Sequence, residues 1–196
     1  PVPVPMNGAV YFADLTAALA TADLVDREVY VELPAGNDAA VLDELAARQA
    51  DPPAARLGAK LRCGGVTADL VPAPERVAAV LAGARDRGVP LKFTAGLHHP
   101  VRGMDATEGV PMHGFLNVYG AGLLAHASDL DAAALLPVVT ETDARAFRLD
   151  ADGFAWRDRA VPAARVAEAR ARDLASYGSC SFDEPVMDLR SLAILT

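Results

Sequence analysis

Gly58-Ala59-Lys60-Leu61-Arg62-Cys63-Gly64 changes character at every residue, and that alternation decides the fold. Successive side chains of a β-strand point to opposite faces, so Ala59, Leu61 and Cys63 share an apolar face while Lys60, Arg62 and Gly64 share the other. The same parity recurs on both sides of this stretch. Val29, Val31 and Leu33 oppose Tyr30 and Glu32 in the preceding strand, and Leu91, Phe93 and Ala95 oppose Lys92 and Thr94 in the following one. Each strand has one apolar and one charged face.

Helical patterns fill the gaps between these strands. Residues 38–49 place Val41, Leu42, Leu45 and Ala46 on one helical face behind Asn37 or Asp38 as cap. Residues 74–87 repeat this with Val77, Val80, Leu81 and Ala84 between Pro74 and Gly88. A shorter helix is expected over residues 14–22. Alternating strands and helices mark βαβ units and a parallel sheet. With helices on the apolar faces the charged faces converge, and the expected fold is an α/β barrel of TIM type, (β/α)8, whose lumen holds Glu32, Lys60, Arg62 and Lys92. The competing architecture is an open sheet with one wetted face.

Beyond Gly96 the pattern changes. Residues 97–111 read as a loop, 114–126 and 162–175 as helices, 177–182 as a last strand with its turn, and 184–195 as a closing helix. Asp150-Ala151-Asp152-Gly153 reads as the turn of a small hairpin. A single domain is expected over residues 1–196, with residues 97–176 inserted between the last two strands. The chain opens on Pro1-Val2-Pro3-Val4-Pro5, whose alternation is that of the second half of a strand. It is thus expected to carry only the last five or so strands of a barrel, completed by a second polypeptide or an upstream segment. Five strands do not close a parallel barrel, and oligomerisation is compatible with this expectation.

Composition excludes several function classes. A net charge of -8 disfavours nucleic acid and anionic membrane surfaces, and there is no apolar run of roughly eighteen residues to span a bilayer. Cys63 and Cys180 are too few for a disulfide framework and lack metal-finger spacing, so a cytoplasmic location is expected.

Of the 18 basic residues only Lys60 and Lys92 are lysine, one in each of two consecutive strands. An amine sheds its proton and attacks a carbonyl when crowded by another cation, whereas a guanidinium does not. The parity therefore points to carbonyl chemistry, with Lys60 between Arg62 and Lys92 as the attacking amine and Glu32 holding Lys92 charged. His98, His99 and His113 fall on the loop side of the Lys92 strand and suit acid–base work near neutral pH. Gly64-Gly65, Ser179 and Ser181 stand where backbone N–H groups and hydroxyls bind an anion, and Arg62 adds a fork. Thr94 is counted with them as a substrate-side group. A plain turn explains Gly64-Gly65 equally well. The runner-up chemistry is a metal-dependent lyase or hydrolase using two or three of these histidines with Glu32 or Asp183. A third reading is a barrel that binds a ligand or partner without turnover.

Residues 28–96 and 177–192 resemble the class I deoxyribose-phosphate aldolase family, a (β/α)8 barrel. That family carries a strand ending in Glu-Thr-Gly, here Glu32-Leu33-Pro34. It then has a Lys-Thr-Ser-Thr-Gly strand, here Lys60-Leu61-Arg62-Cys63-Gly64, and a Lys-x-x-Gly-Gly strand, here Lys92-Phe93-Thr94-Ala95-Gly96. Its phosphate-binding Gly-x-Ser-Ser turn matches Gly178-Ser179-Cys180-Ser181. The resemblance implies that Lys60 is the Schiff-base lysine, that Lys92 lowers its pKa, and that Ser179 and Ser181 bind an anionic group. The family's catalytic Asp strand aligns with Val2-Pro3-Val4-Pro5, which carries no acid. Residues 92–100 and 112–118 are also similar to uncharacterised bacterial proteins. The expected protein is a lyase of aldolase type acting on a small anionic carbonyl compound, with no cofactor and no metal.

Overall fold

The computed structural model describes residues 8–49, 56–65, 67–104 and 109–194, with side chains from residue 11 onward. A first helix, α1 (Gly8–Thr21), precedes β1 (Glu28–Glu32), α2 (Asp38–Gln49), β2 (Arg56–Arg62), α3 (Pro74–Asp86) and β3 (Leu91–Thr94). The α3 boundaries follow from its end residues. Pro74 opens it, and Gly88, at φ +63°, closes it with a Schellman motif in which Gly88 N–H donates to Arg85 O and Val89 N–H to Ala84 O.

The segment after β3 holds a two-stranded ribbon, β4 (Gly103–Met104) with β5 (Pro111–Met112), then α4 (Phe115–Ser128) and α5 (Ala132–Thr140). An antiparallel sheet follows, β6 (Phe147–Asp150), β7 (Gly153–Trp156) and β8 (Arg159–Pro162), and the chain returns through α6 (Ala163–Arg172), β9 (Leu174–Tyr177) and α7 (Asp183–Ser191). The expected hairpin at Asp150–Gly153 is present and gains a third strand, β8. Helix α5, to which the sequence pattern assigned nothing, is capped by the Asp131 carboxylate accepting from Ala134 N–H at 2.8 Å.

The main sheet is parallel and four-stranded in the order β1-β2-β3-β9. Its parity is as the alternation predicts. Val31, Leu33, Ala59, Leu61, Cys63, Leu91 and Phe93 are buried in one cluster with the inner faces of α2, α3, α4 and α5. Tyr30, Glu32, Lys60, Arg62, Lys92 and Thr94 are half-buried on the opposite face. Gly122 of α4 sits between Leu174 of β9 and Leu81 of α3, which fixes that helix on the sheet.

Two expectations are corrected. The sheet is not closed among the described residues: β1 and β9 form its two edges, and the expected first strand at residues 2–5 lies outside the described residues. The last strand is residues 174–177 rather than 177–182. Asp173 caps α6, so Leu174 enters the sheet at once, with Leu91 N–H donating to Asp173 O and Gly178 N–H to Phe93 O. No helix among the described residues is long and apolar enough to cross a membrane.

Candidate active site

The charged face of the sheet assembles five of the expected residues, Glu32, Lys60, Arg62, Lys92 and Thr94, the last paired with Arg62. Parallel register aligns Glu32, Lys60 and Lys92 in one row across β1, β2 and β3, and continues it to Ser176 on β9. A register shift at Leu91/Lys92 inserts Ala175 and brings Ser176, rather than its neighbour, beside Lys92. The Lys60 ammonium lies 2.7 Å from Glu32 Oε2, with the Arg62 guanidinium 4.0 Å from Oε1. Arg62 also donates to Gly64 O at 3.0 Å. Both Lys60 and Glu32 are about three-quarters buried at the side chain. Arg76 of α3 forks onto Asp38 at 2.8 Å and donates to Leu33 O, which anchors the end of β1 beside Glu32.

The carboxylate therefore belongs to Lys60, not to Lys92 as the sequence reading had it. Paired residues stand side by side in the sheet, but the longer reach of the lysine on the next strand brings its ammonium straight to Glu32. Lys92 makes no ion pair among the described residues; its Nζ stands 5.7 Å from the centroid of the Tyr30 ring. The row carries Lys60 and Lys92 with Glu32, and Arg62, two residues along β2 and paired with Thr94, adds a third cation near that carboxylate.

The loop leaving β3 presents His98 and His99 to α7. His98 Nδ1 lies 3.1 Å from Glu184 Oε2, and His99 Nδ1 lies 2.6 Å from Asp188 Oδ2. Glu184 and Asp188 are four apart, so one face of α7 holds both rings. As carboxylates accept, each ring donates from Nδ1, and Nε2 is the nitrogen that α7 does not engage. Ser179 Oγ stands 3.4 Å from the same His98 nitrogen, so Ser179, His98 and Glu184 do not form a relay through opposite ring atoms. Glu184 is thus a histidine partner.

Other expected site residues are placed differently. His113 is fully buried: its Nε2 donates to Pro72 O at 2.7 Å and its Nδ1 accepts from Arg102 at 3.1 Å. Burial, more than the nearby Arg102 charge, holds its pKa below the ordinary value, against the Pro72 bond. It is a neutral core histidine with no free nitrogen for substrate. Gly64 packs its backbone on Gly96, at φ +71°, where an added Cβ on either would meet the other's Cα at 2.7–2.8 Å. Gly65 lies against Leu70 in the same manner. Both glycines answer to packing. Ser181 Oγ accepts from Glu184 N–H and Ser179 Oγ from Ser181 N–H, so the two hydroxyls shape the turn into α7. Cys63, beside Arg62, is buried and its thiol is pushed up to about 12, which leaves it inert. No group of three His, Cys, Asp or Glu side chains comes together as a metal set among the described residues.

Tyr30 and Ser176 are members of the face that the site reading passed over. Alternation placed Tyr30 with Glu32, but its role depends on what lies across β2; Ser176 needed the register shift, which no local pattern announces. Comparison of the chain with protein-family models, with curated proteins and with solved structures gave no match.

Proposed function

We propose that the protein is a lyase of aldolase type that acts on a small anionic carbonyl compound through an imine on Lys92. The observation that carries this is the division of roles between its only two lysines: Lys60 is committed to Glu32 at 2.7 Å, and Lys92, next in the row, has no carboxylate among the described residues. An attacking amine must be free of a competing carboxylate, and Lys92 meets that condition beside the Lys60–Glu32 pair, with the Tyr30 ring face next to its nitrogen. The excess of cations supplies attraction for an anionic substrate, with Arg62 as the fork.

In such a reaction neutral Lys92 Nζ adds to the carbonyl carbon, and the oxygen, taking one proton from that nitrogen and one from the imidazolium of His98 or His99, leaves as water to give an iminium beside a neutral imidazole. A β-hydroxyl of the substrate loses its proton to the Nε2 of His98 or His99 as the C–C bond breaks. That bond's electron pair moves into the iminium, forming an enamine, and an aldehyde departs. The imidazole returns the proton to the enamine carbon, and water hydrolyses the imine to restore the amine. On this reading the four strands are consecutive staves of a (β/α)8-type barrel in a cytoplasmic enzyme, with the other staves contributed by a second polypeptide or another segment. Their sequential order and polar inner face support it.

Borohydride reduction in the presence of pyruvate, with peptide mapping by mass, tests the reading. The adduct is expected on Lys92, absent in Lys92→Arg and slowed in Lys60→Arg. An adduct on Lys60 exchanges the roles; no adduct with pyruvate or with glyceraldehyde 3-phosphate removes the imine altogether.

A further inference from the structure

Gly58 stands mid-strand in β2, where glycine weakens a sheet and signals that another group comes close. Its backbone is not in the left-handed region, so conformational freedom is not the reason. A Cβ built there would lie 2.5 Å from Tyr30 Cε1, 2.6 Å from Cδ1 and 2.8 Å from Pro90 O. The Tyr30 ring, rooted on β1, is therefore laid across β2 over the space that Gly58 leaves, toward β3. There the Lys92 Nζ meets it. The hydroxyl end is fixed as well: it donates to Glu28 Oε2 at 3.2 Å, Glu28 Oε1 receives Arg56 at 2.7 Å, and Arg56 donates to Arg172 O at 2.6 Å. Burial, with the Glu28 charge and bond adding to it, raises the pKa of this phenol, so the ring stays neutral and its face keeps the quadrupole that attracts a cation.

We infer that Tyr30 is the positioning residue of the lysine site, an aromatic floor laid across Gly58 that holds the Lys92 nitrogen in place. The imine part of this rests on the proposed function; the docking of the nitrogen does not. A ring face attracts ammonium and protonated imine alike, so its effect is to fix where the nitrogen stands before and after bond formation. The other polar groups on the same face of the sheet are Lys60 and Arg62 on β2, Glu32 on β1 and Ser176 on β9. None offers Lys92 a carboxylate of its own, since Glu32 is taken by Lys60.

The test exploits the presence of only two lysines. Protein labelled with 13Cε-lysine gives two side-chain methylene resonances, and the one lost in Lys92→Arg is expected upfield through the Tyr30 ring current. Tyr30→Phe keeps that displacement, Tyr30→Leu removes it, and the Lys60 resonance stays where it is in both. In Tyr30→Leu the nitrogen loses the face that fixes it, so borohydride trapping with pyruvate is two- to fivefold slower; Tyr30→Phe restores the wild-type rate. Gly58→Ala, which drives a methyl into the ring, reproduces the Tyr30→Leu spectrum. An undisplaced Lys92 resonance in the wild type overturns the inference, as does a displacement that survives Tyr30→Leu. A displaced resonance without any imine adduct upholds the aromatic floor and rejects the lysine chemistry instead.

Discussion

At the scale of single residues, burial separates histidines that work from histidines that pack. His98 and His99 engage α7 through Nδ1 alone, while His113 is folded into the interior and His126 is half-buried beside Asp173. Burial is the largest influence on His113 and His126 and holds their pKa values below the ordinary 6.5; Asp173 opposes this at His126, and Arg85, Arg165 and Arg172 reinforce it. A group with a depressed cationic pKa is neutral when folded and takes a proton when unfolded, so the unfolded chain binds more protons just below that value. Stability is therefore expected to fall as the pH drops below about 6.5, by up to about 1.4 kcal/mol per pH unit for each ring. Urea unfolding at about pH 7.5 and about pH 5.5 measures it. His113→Gln, whose amide can still serve Pro72 O but cannot titrate, should flatten the slope by up to one proton. An unchanged slope in that variant shows that His113 is not responsible.

At the scale of elements, the three-stranded sheet is tied to the helices by one buried carboxylate. Glu141 caps the end of α5, accepts from Thr142 and Asp143 N–H at 3.1 Å, and takes Trp156 Nε1 at 3.2 Å and the Arg157 fork at 2.6 and 3.0 Å. Its backbone oxygen accepts from Asn117 of α4. Burial pushes the carboxyl up, but the bonds from Asp143, Arg157 and Trp156 outweigh it, and its pKa is lowered on balance. This contribution is full above the ordinary glutamate range and is lost as pH falls through the lowered value. Glu141→Gln should destabilise the protein by about 1.5–3 kcal/mol, because a charge-assisted acceptor of several donors is replaced by a neutral one. A denaturant midpoint within error of wild type contradicts that brace. Arg157 is its main cation and also lies over the Trp156 ring.

At the scale of the whole molecule, Phe147, Phe154, Trp156 and Val161 of the small sheet join the same buried cluster as the main sheet and its helices. Shared core predicts shared unfolding. Trp156 is the only tryptophan, so its fluorescence reports the small sheet while far-UV circular dichroism reports the whole. The two denaturation curves should coincide. A separate tryptophan transition would assign the segment between β3 and β9 to an independent unit.

The sequence by itself determined the strands and helices of the first half and their inner and outer faces, because alternation and helical periodicity are local consequences of backbone geometry. Residues 38–49 form α2 as the pattern reads, and Lys60, Lys92, Glu32 and Arg62 meet on one face for the same reason. Tertiary structure alone decided the pairings. Which lysine holds Glu32, where Ser176 enters the row, why position 58 is glycine and why His113 is packed rather than presented all depend on residues far apart in the chain. The start of β9 was likewise illegible, since Leu174-Ala175-Ser176-Tyr177 continues from α6 without a breaker and only pairing with β3 makes it a strand. Backbone geometry is written residue by residue, whereas the partner of a charge is fixed only once strands lie side by side, when distances of a few ångströms decide among several cations of equal sign.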